Sequence, residues 1–317
     1  MKALRLSAGT AGDIDTQVDK VIRGLGNPEP PLDLRVVRDH LALNREYYRR
    51  TDDGFLRETV GRIRVAGRQV LRRPTLLLEA VRKFSLQALY LPDQKRILLD
   101  QDVPVLKHRW NEAHEIGHSL VPWHAELLHG DDDQTLTLSC REALEAEANF
   151  AAGQLLFLRD RFVEEARSRA PGFKTVQELH KLFGNTMSST LWRYVEQADP
   201  ARATFGLVSA HPHPERRRDG FDPLRPCRHM MQSATFAEMF SRVSEVQLFT
   251  RVVQYAGPQR GGMLGAEEVI LTDDVGNEHI FRLETFYNGY DALTLGWHLG
   301  PRSILVVGAR LDPRRDG

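Results

Sequence analysis

The sequence has few cysteines: among its 317 residues only Cys140 and Cys227 occur. Two cysteines so far apart cannot form the disulfide framework of a small secreted domain, and this scarcity is typical of a reducing compartment. Long apolar runs are also missing, so no segment has the pattern of a signal peptide or a transmembrane helix. These absences predict a cytoplasmic protein without a membrane partner.

The chain also lacks an excess of charge of either sign, because 43 lysines and arginines balance 43 aspartates and glutamates. A balanced charge excludes a global field that would attract nucleic acid or an anionic membrane surface. Hydrophobic residues make up 41% and charged residues 27%, which is ordinary for a globular protein. The length suffices for two domains that each bury a core.

A first helix is predicted to begin after Asp15 and to end near Gly24 or Gly26. Residues 86–100 contain two short apolar runs around a turn, which predicts a hairpin with Tyr90 in its first strand. We expect Tyr90 to mark the strand edge on which a substrate peptide lies, although an ordinary core tyrosine fits the pattern equally well.

A helix over residues 102–121 carries the sequence His114-Glu115-Ile116-Gly117-His118, an H-E-x-x-H motif. Side chains four positions apart on a helix lie one turn above each other, so both histidines can bind one metal ion. Glu115 lies between them and can take the proton from an attacking water as general base. The motif predicts one zinc ion per chain, with His114 and His118 as ligands.

The third ligand is sought on the next helix, which is predicted from Ser139 onward. Glu145 falls on the same face as the apolar residues Ala148 and Ala152, where an unpaired carboxylate would be costly. A metal ion would pair with it, so Glu145 is the predicted ligand, and Asn149 one turn later is expected to orient a ligand. Glu147 points to another face, and we interpret it as solvated.

His124 is the alternative third ligand, because it lies ten residues after His114, as in metalloproteases with three histidines. Those proteases use a glycine to break the helix, whereas this chain has Val121-Pro122. A stabiliser of the oxyanion is also expected in such a site. The sequence leaves four candidates for it: His124, Tyr194, His211 and His213.

The two helices together resemble the ImmA/IrrE family of metallo-endopeptidases, through HEIGH at 114–118 and EAEANFAAGQLLF at 145–157. The resemblance extends over about residues 15–197 and implies His114, His118 and Glu145 as zinc ligands, with Glu115 as general base. It also implies a narrow regulatory endopeptidase that cleaves a helix-turn-helix repressor in stress response or mobile-element control. One departure is Phe157-Leu158, where the family commonly has a proline.

The fold class predicted is α+β: a helical, zincin-like peptidase domain over 1–198 with a small β-sheet, and a smaller β-rich domain over 229–317. Residues 175–197 have the rhythm of a helix-turn-helix, and the polar segment 199–228 is predicted to be a linker. The β-rich domain, predicted to hold mostly strands including VQLFTRVVQYA, would sense a ligand or brace the catalytic domain.

The alternative function keeps the metal but drops proteolysis: a regulatory module with a structural or sensory metal site that acts through protein or DNA contacts. Glu115 argues for catalysis, because a purely structural zinc site has no use for a general base. The neutral charge and the few basic residues of the helix-turn-helix-like segment argue against direct nucleic-acid binding. The predicted partner is therefore a protein substrate.

Overall fold

The computed structural model describes residues 6–48, 88–91, 95–101, 105–124 and 138–302. The protein is α+β, as predicted, with an antiparallel sheet of its own in the C-terminal region. It forms two compact units: the first comprises Met1–Glu165 and Glu178–Thr186, and the second comprises Ala166–Gln177 and Met187–Gly317. Within the described ranges, no helix has both the length and the apolarity that crossing a bilayer requires.

Among the described residues, the first unit contains the helices α1 (Ala8–Gly24), α2 (Leu34–Leu41), α3 (Val105–Leu120) and α4 (Leu138–Leu156). The next two helices, α5 (Asp160–Arg167) and α6 (Phe173–Phe183), each have residues in both units. Helix α1 begins well before Asp15, so the predicted start was wrong. Ser7 is its N-cap, and the Ser7 side chain accepts a hydrogen bond from the backbone N–H of Thr10. Ile14 and Val18 are fully buried on its inner face.

A three-stranded sheet completes the first unit, with strands β1 (Asn44–Tyr48), β2 (Ala88–Leu91) and β3 (Arg96–Asp100). The order is β1-β3-β2, with β3 parallel to β1 and antiparallel to β2. The predicted hairpin is thus confirmed, and Tyr90 pairs with Ile97 across it. Since β3 is central, β2 lies at an edge of the sheet among the described strands.

The second unit contains a five-stranded antiparallel sheet of order β5-β4-β8-β7-β6. Its elements are α7 (Met187–Arg193), a π-helical turn (Tyr194–Ala198), β4 (Thr204–Ser209), β5 (Cys227–Gln232), α8 (Ala234–Met239), α9 (Glu245–Tyr255), β6 (Gly262–Thr272), β7 (Glu278–Tyr287) and β8 (Ala292–Pro301). Aromatic side chains form the centre of its core, where Phe205, Phe236 and Phe281 are fully buried.

The structure differs from the sequence prediction in two places of this unit. The segment 199–228, predicted to be a linker, contains β4, a buried strand that pairs with both β5 and β8. VQLFTRVVQYA was predicted to be a strand, but it forms α9, which begins with a capping box between Ser244 and Gln247. Residues 273–277 form the turn between β6 and β7, and the part of the predicted β-rich domain from residue 303 onward lies outside the described residues.

Two helices occupy the segment with helix-turn-helix rhythm, α6 and α7, and Gly184 between them has a positive φ of 65°. The compact units change between Thr186 and Met187, inside this segment. The division into a peptidase domain that ends at residue 198 and a separate β-rich domain stays a prediction.

Candidate metal centre

Helix α3 presents His114 and His118 on one side, one turn apart, with their ring centroids separated by 4.8 Å. Helix α4 packs closely against α3 at this point. A Cβ atom on Gly117 would lie 2.6 Å from the backbone oxygen of Ala148, a contact that only glycine permits. The close approach of the two helices brings Glu145 of α4 to the two histidines.

Three ligand atoms converge between the helices. The Nε2 atom of His114 lies 3.1 Å from one carboxylate oxygen of Glu145, and the Nε2 atom of His118 lies 3.6 Å from the other. All three potential ligand atoms lie within 4.8 Å of one another, which makes this the one such group among the described residues.

The spacing fits a tetrahedral metal ion. Zinc binds imidazole nitrogen and carboxylate oxygen at about 2.1 Å, so neighbouring ligand atoms of a tetrahedral site lie about 3.4 Å apart. The Nε2 atom of each histidine has one Glu145 oxygen near that distance, at 3.1 Å for His114 and 3.6 Å for His118. The His114–His118–Glu145 group can therefore hold a metal ion.

The predicted ligand Glu145 is placed beside both histidines, but not for the reason that the sequence offered. Its side chain is 60% exposed, whereas the histidine side chains are 15% and 10% exposed. Ala148 and Ala152 on the same helix are fully buried. Glu145 thus lies at the open rim of the group, outside the apolar stripe.

The charges of the group reinforce one another. Burial by itself lowers the pKa of His114, but the hydrogen bond with Glu145 and the negative charges of Glu115 and Glu145 outweigh it, so that pKa is raised. Burial by itself raises the pKa of the Glu145 carboxyl, but its hydrogen bonds with His114 and His118 hold that pKa far below its usual range. The group therefore offers a carboxylate to a cation at every physiological pH.

Each histidine has a second partner on the ring nitrogen that faces away from Glu145. The Nδ1 atom of His114 lies 3.1 Å from the Oδ1 atom of Asn149. The Nδ1 atom of His118 lies 2.9 Å from the Nδ1 atom of His124. Both Nδ1 atoms thus have partners on the side away from Glu145, so the Nε2 atoms are the ones that would bind an ion.

His124, the alternative third ligand, is fully buried and contacts protein groups through both ring nitrogens. Its Nε2 atom lies 2.8 Å from Glu147, opposite the contact with His118. Burial and the charge of His118 lower the pKa of His124 to about 4. The structure thus does not bring a nitrogen of His124 into the group with Glu145.

Glu147 was interpreted from the sequence as solvated, and this was wrong, because its side chain is only 13% exposed. One of its carboxylate oxygens accepts hydrogen bonds from Trp123 Nε1, at 2.6 Å, and from His124 Nε2. No helical periodicity in the sequence indicates this arrangement, since Trp123 and His124 follow the proline that ends α3.

Glu115 lies between the two histidines on α3 and is 5% exposed. Its charge is close enough to raise the pKa of His114. Of the candidates for an oxyanion stabiliser, Tyr194, His211 and His213 belong to the second unit. The Nε2 atom of His211 is hydrogen-bonded to the backbone oxygen of Gln259.

The sequence did not point to Glu112, which anchors α3 two residues before the motif. Glu112 is 5% exposed and accepts hydrogen bonds from Arg38, at 2.6 Å, and Arg45, at 2.8 Å. These two arginines lie in α2 and β1, so a single carboxylate ties α3 to both elements. In the sequence, the position of Glu112 directly before the apolar Ala113 was the available signal that this carboxylate is buried.

Fold and site together define an α+β protein with a His-His-Glu group that can hold a metal ion. No family model matches the chain, and neither does any curated protein. Among solved structures, it is similar to a Mycobacterium tuberculosis transcriptional regulator, with a TM-score of 0.52 and 15% sequence identity. The match covers 90% of this chain and 76% of that one. At this identity the likeness shows a shared fold.

Proposed function

We propose that the protein is a zinc-dependent endopeptidase of the ImmA/IrrE type that hydrolyses a peptide bond in a specific protein. The observation that carries the proposal is the combination of a His114–His118–Glu145 group with a buried Glu115 between its two histidines. Two imidazoles and one carboxylate are a ligand set typical of catalytic zinc, which keeps one coordination position open.

Zinc held by this group would act as a Lewis acid toward the scissile carbonyl and would lower the pKa of water. Glu115 would accept the proton of the attacking water and deliver it to the leaving amine. Glu115 is buried, and its charge is close enough to His114 to raise the pKa of that residue. Asn149 would keep the Nε2 atom of His114 directed toward the ion through the hydrogen bond to Nδ1.

The substrate we propose is a transcriptional repressor of helix-turn-helix type, following the family resemblance of the HEIGH and EAEANFAAGQLLF segments. A role in transcriptional control would agree with the name of the mycobacterial neighbour. Among the described strands, β2 with Tyr90 lies at an edge of its sheet, and an extended peptide could add to it there as a further strand.

Metal content is the first test, measured by mass spectrometry on wild type, Glu115→Gln, Glu145→Ala and His124→Ala proteins. We expect about one zinc per chain in wild type and Glu115→Gln, and loss of zinc in Glu145→Ala. Loss in His124→Ala with retention in Glu145→Ala would instead support the three-histidine ligand set. Absence of metal from all four proteins would refute the peptidase proposal.

Cleavage is the second test. Zinc-loaded wild type and Glu115→Gln proteins would be incubated with a lysate of the source organism, and new protein N-termini would be labelled and identified. We expect a small set of N-termini that only the wild type generates. Identical sets from two proteins that both bind zinc would favour the alternative function, a regulatory module whose metal site is structural or sensory.

A further inference from the structure

The support behind His118 differs from the support behind His114. His114 is held by the amide of Asn149, an exposed residue. His118 is held by His124, which is in turn held by Glu147, so that three side chains lie in series: 2.9 Å separates the first pair and 2.8 Å the second. We call these three residues the His118–His124–Glu147 series.

The proton positions along this series of side chains follow from the chemistry of imidazole. If His118 binds a metal ion through Nε2, that nitrogen carries a lone pair, and the proton of the neutral ring is on Nδ1. His118 then donates to His124, whose Nδ1 atom must accept. The proton of His124 is consequently on Nε2, where it is donated to the carboxylate of Glu147.

The environment of the His118–His124–Glu147 series supports these proton positions. His124 is fully buried and the Glu147 side chain is 13% exposed, so water competes little for these hydrogen bonds. A buried carboxylate needs donors, and Glu147 has two on one oxygen, Trp123 Nε1 and His124 Nε2. A hydrogen bond to a charged acceptor is stronger than one to an amide.

We propose that His124 and Glu147 are positioning residues that fix the proton of His118 on Nδ1 and thereby direct its Nε2 lone pair to the metal ion. The inference rests on the proposed zinc site. It assigns to His124 a role through His118, in place of direct binding to the metal.

Zinc affinity is the first measurement, determined by competition with a chromophoric chelator for wild type, His124→Phe, Glu147→Gln and Trp123→Phe proteins. His124→Phe keeps a ring but removes the acceptor for His118, and we expect a 10- to 100-fold weaker affinity with one zinc still bound. Glu147→Gln removes the charge and should weaken binding by a smaller factor. Trp123→Phe removes the other donor to Glu147 but keeps the contact between His124 and Glu147, so its affinity should fall less than that of His124→Phe.

The possible results of this measurement distinguish the positioning role of His124 from the zinc site on which it rests. An affinity of His124→Phe within threefold of wild type would overturn the positioning role while leaving the zinc site in place. Complete loss of zinc, equal to that in Glu145→Ala, would make His124 a direct ligand and would also overturn it. Failure of the wild type to bind zinc would refute the site itself.

A spectroscopic test on the wild type avoids any variant that fails to fold. In zinc-loaded protein labelled with nitrogen-15 at histidine, long-range correlations between ring nitrogens and carbon-bound protons report which nitrogen is protonated. We expect His118 protonated on Nδ1, and His124 protonated on Nε2 and unprotonated on Nδ1. A His124 ring protonated on Nδ1 would contradict the proposal whatever the affinities show.

Discussion

Gly117 of α3 faces the backbone oxygen of Ala148 in α4, and a Cβ atom added to this glycine would lie 2.6 Å from that oxygen. Neither partner can yield easily, because one is the helix that carries His114 and His118 and the other is the backbone of the helix that carries Glu145. Because Gly117 has no side chain, the two helices lie close together. The separation of His114 and His118 from Glu145 depends on this spacing.

Substitution of Gly117 by alanine should push α3 and α4 apart. We expect a loss of about 1–3 kcal/mol in the free energy of unfolding from overpacking, and a weaker affinity for zinc because Glu145 is displaced. Urea unfolding of the metal-free protein and a chelator competition would measure the two effects.

Gly153→Ala is the matched control, since Gly153 lies within the partner helix α4 but a Cβ atom there would meet nothing within 4 Å. This variant should be unchanged or up to about 1 kcal/mol more stable, because alanine favours the helix. Equal behaviour of the two alanine variants would contradict the importance of the Gly117 contact.

Asn149→Ala should weaken zinc binding by about tenfold or more, because the hydrogen bond that orients His114 is lost. Asn149→Asp retains an oxygen acceptor and should retain most of the affinity. The two zinc dissociation constants, compared with wild type, test the orienting role. If both variants bind zinc as the wild type does, the contact with His114 has no positioning effect.

Glu112→Gln should lower the free energy of unfolding by about 2–4 kcal/mol, because it leaves the buried guanidinium of Arg38 without its anion. Glu46→Gln is the control, since its pairing with Arg96 is more exposed and should contribute less than about 1 kcal/mol. Urea unfolding curves of both variants give the comparison. A loss for Glu112→Gln no larger than for Glu46→Gln would show that the buried network is not a major anchor.

Cys227 should resist thiol reagents in the folded protein. Burial, together with the charge of Glu245, raises its pKa to about 12, so at pH 8 only on the order of one thiol in ten thousand is ionised. In a Cys140→Ser protein, colour development with a disulfide reagent should be at least about 100-fold slower than after unfolding in guanidinium. Reaction at the rate of free cysteine would contradict the buried position.

The part of the site that lies within one helix could be predicted from the amino-acid sequence alone. His114, Glu115 and His118 are related by helical spacing alone, and Pro122 marks the end of α3. The local hairpin was equally accessible, because alternating runs and a turn lie within a few residues. The α9 helix was missed, since Val246, Phe249 and Val252 suit strands by propensity, and the capping box at Ser244 was the overlooked signal.

The environments of the two carboxylates of α4 depend on how α4 packs against α3 and could not be predicted from the sequence. Glu145 and Glu147 are two residues apart, about 200° around the helix, so they face different surroundings. Apolar residues surround this helix on several sides, and the stripe therefore did not show which side meets α3. The contact between Gly117 and Ala148 fixes which side of α4 meets α3. As a result, Glu145 lies at the open rim beside the histidines, and Glu147 is buried against Trp123 and His124. The sequence of α4 alone could not show this, because the packing of two helices is a property of both sequences together.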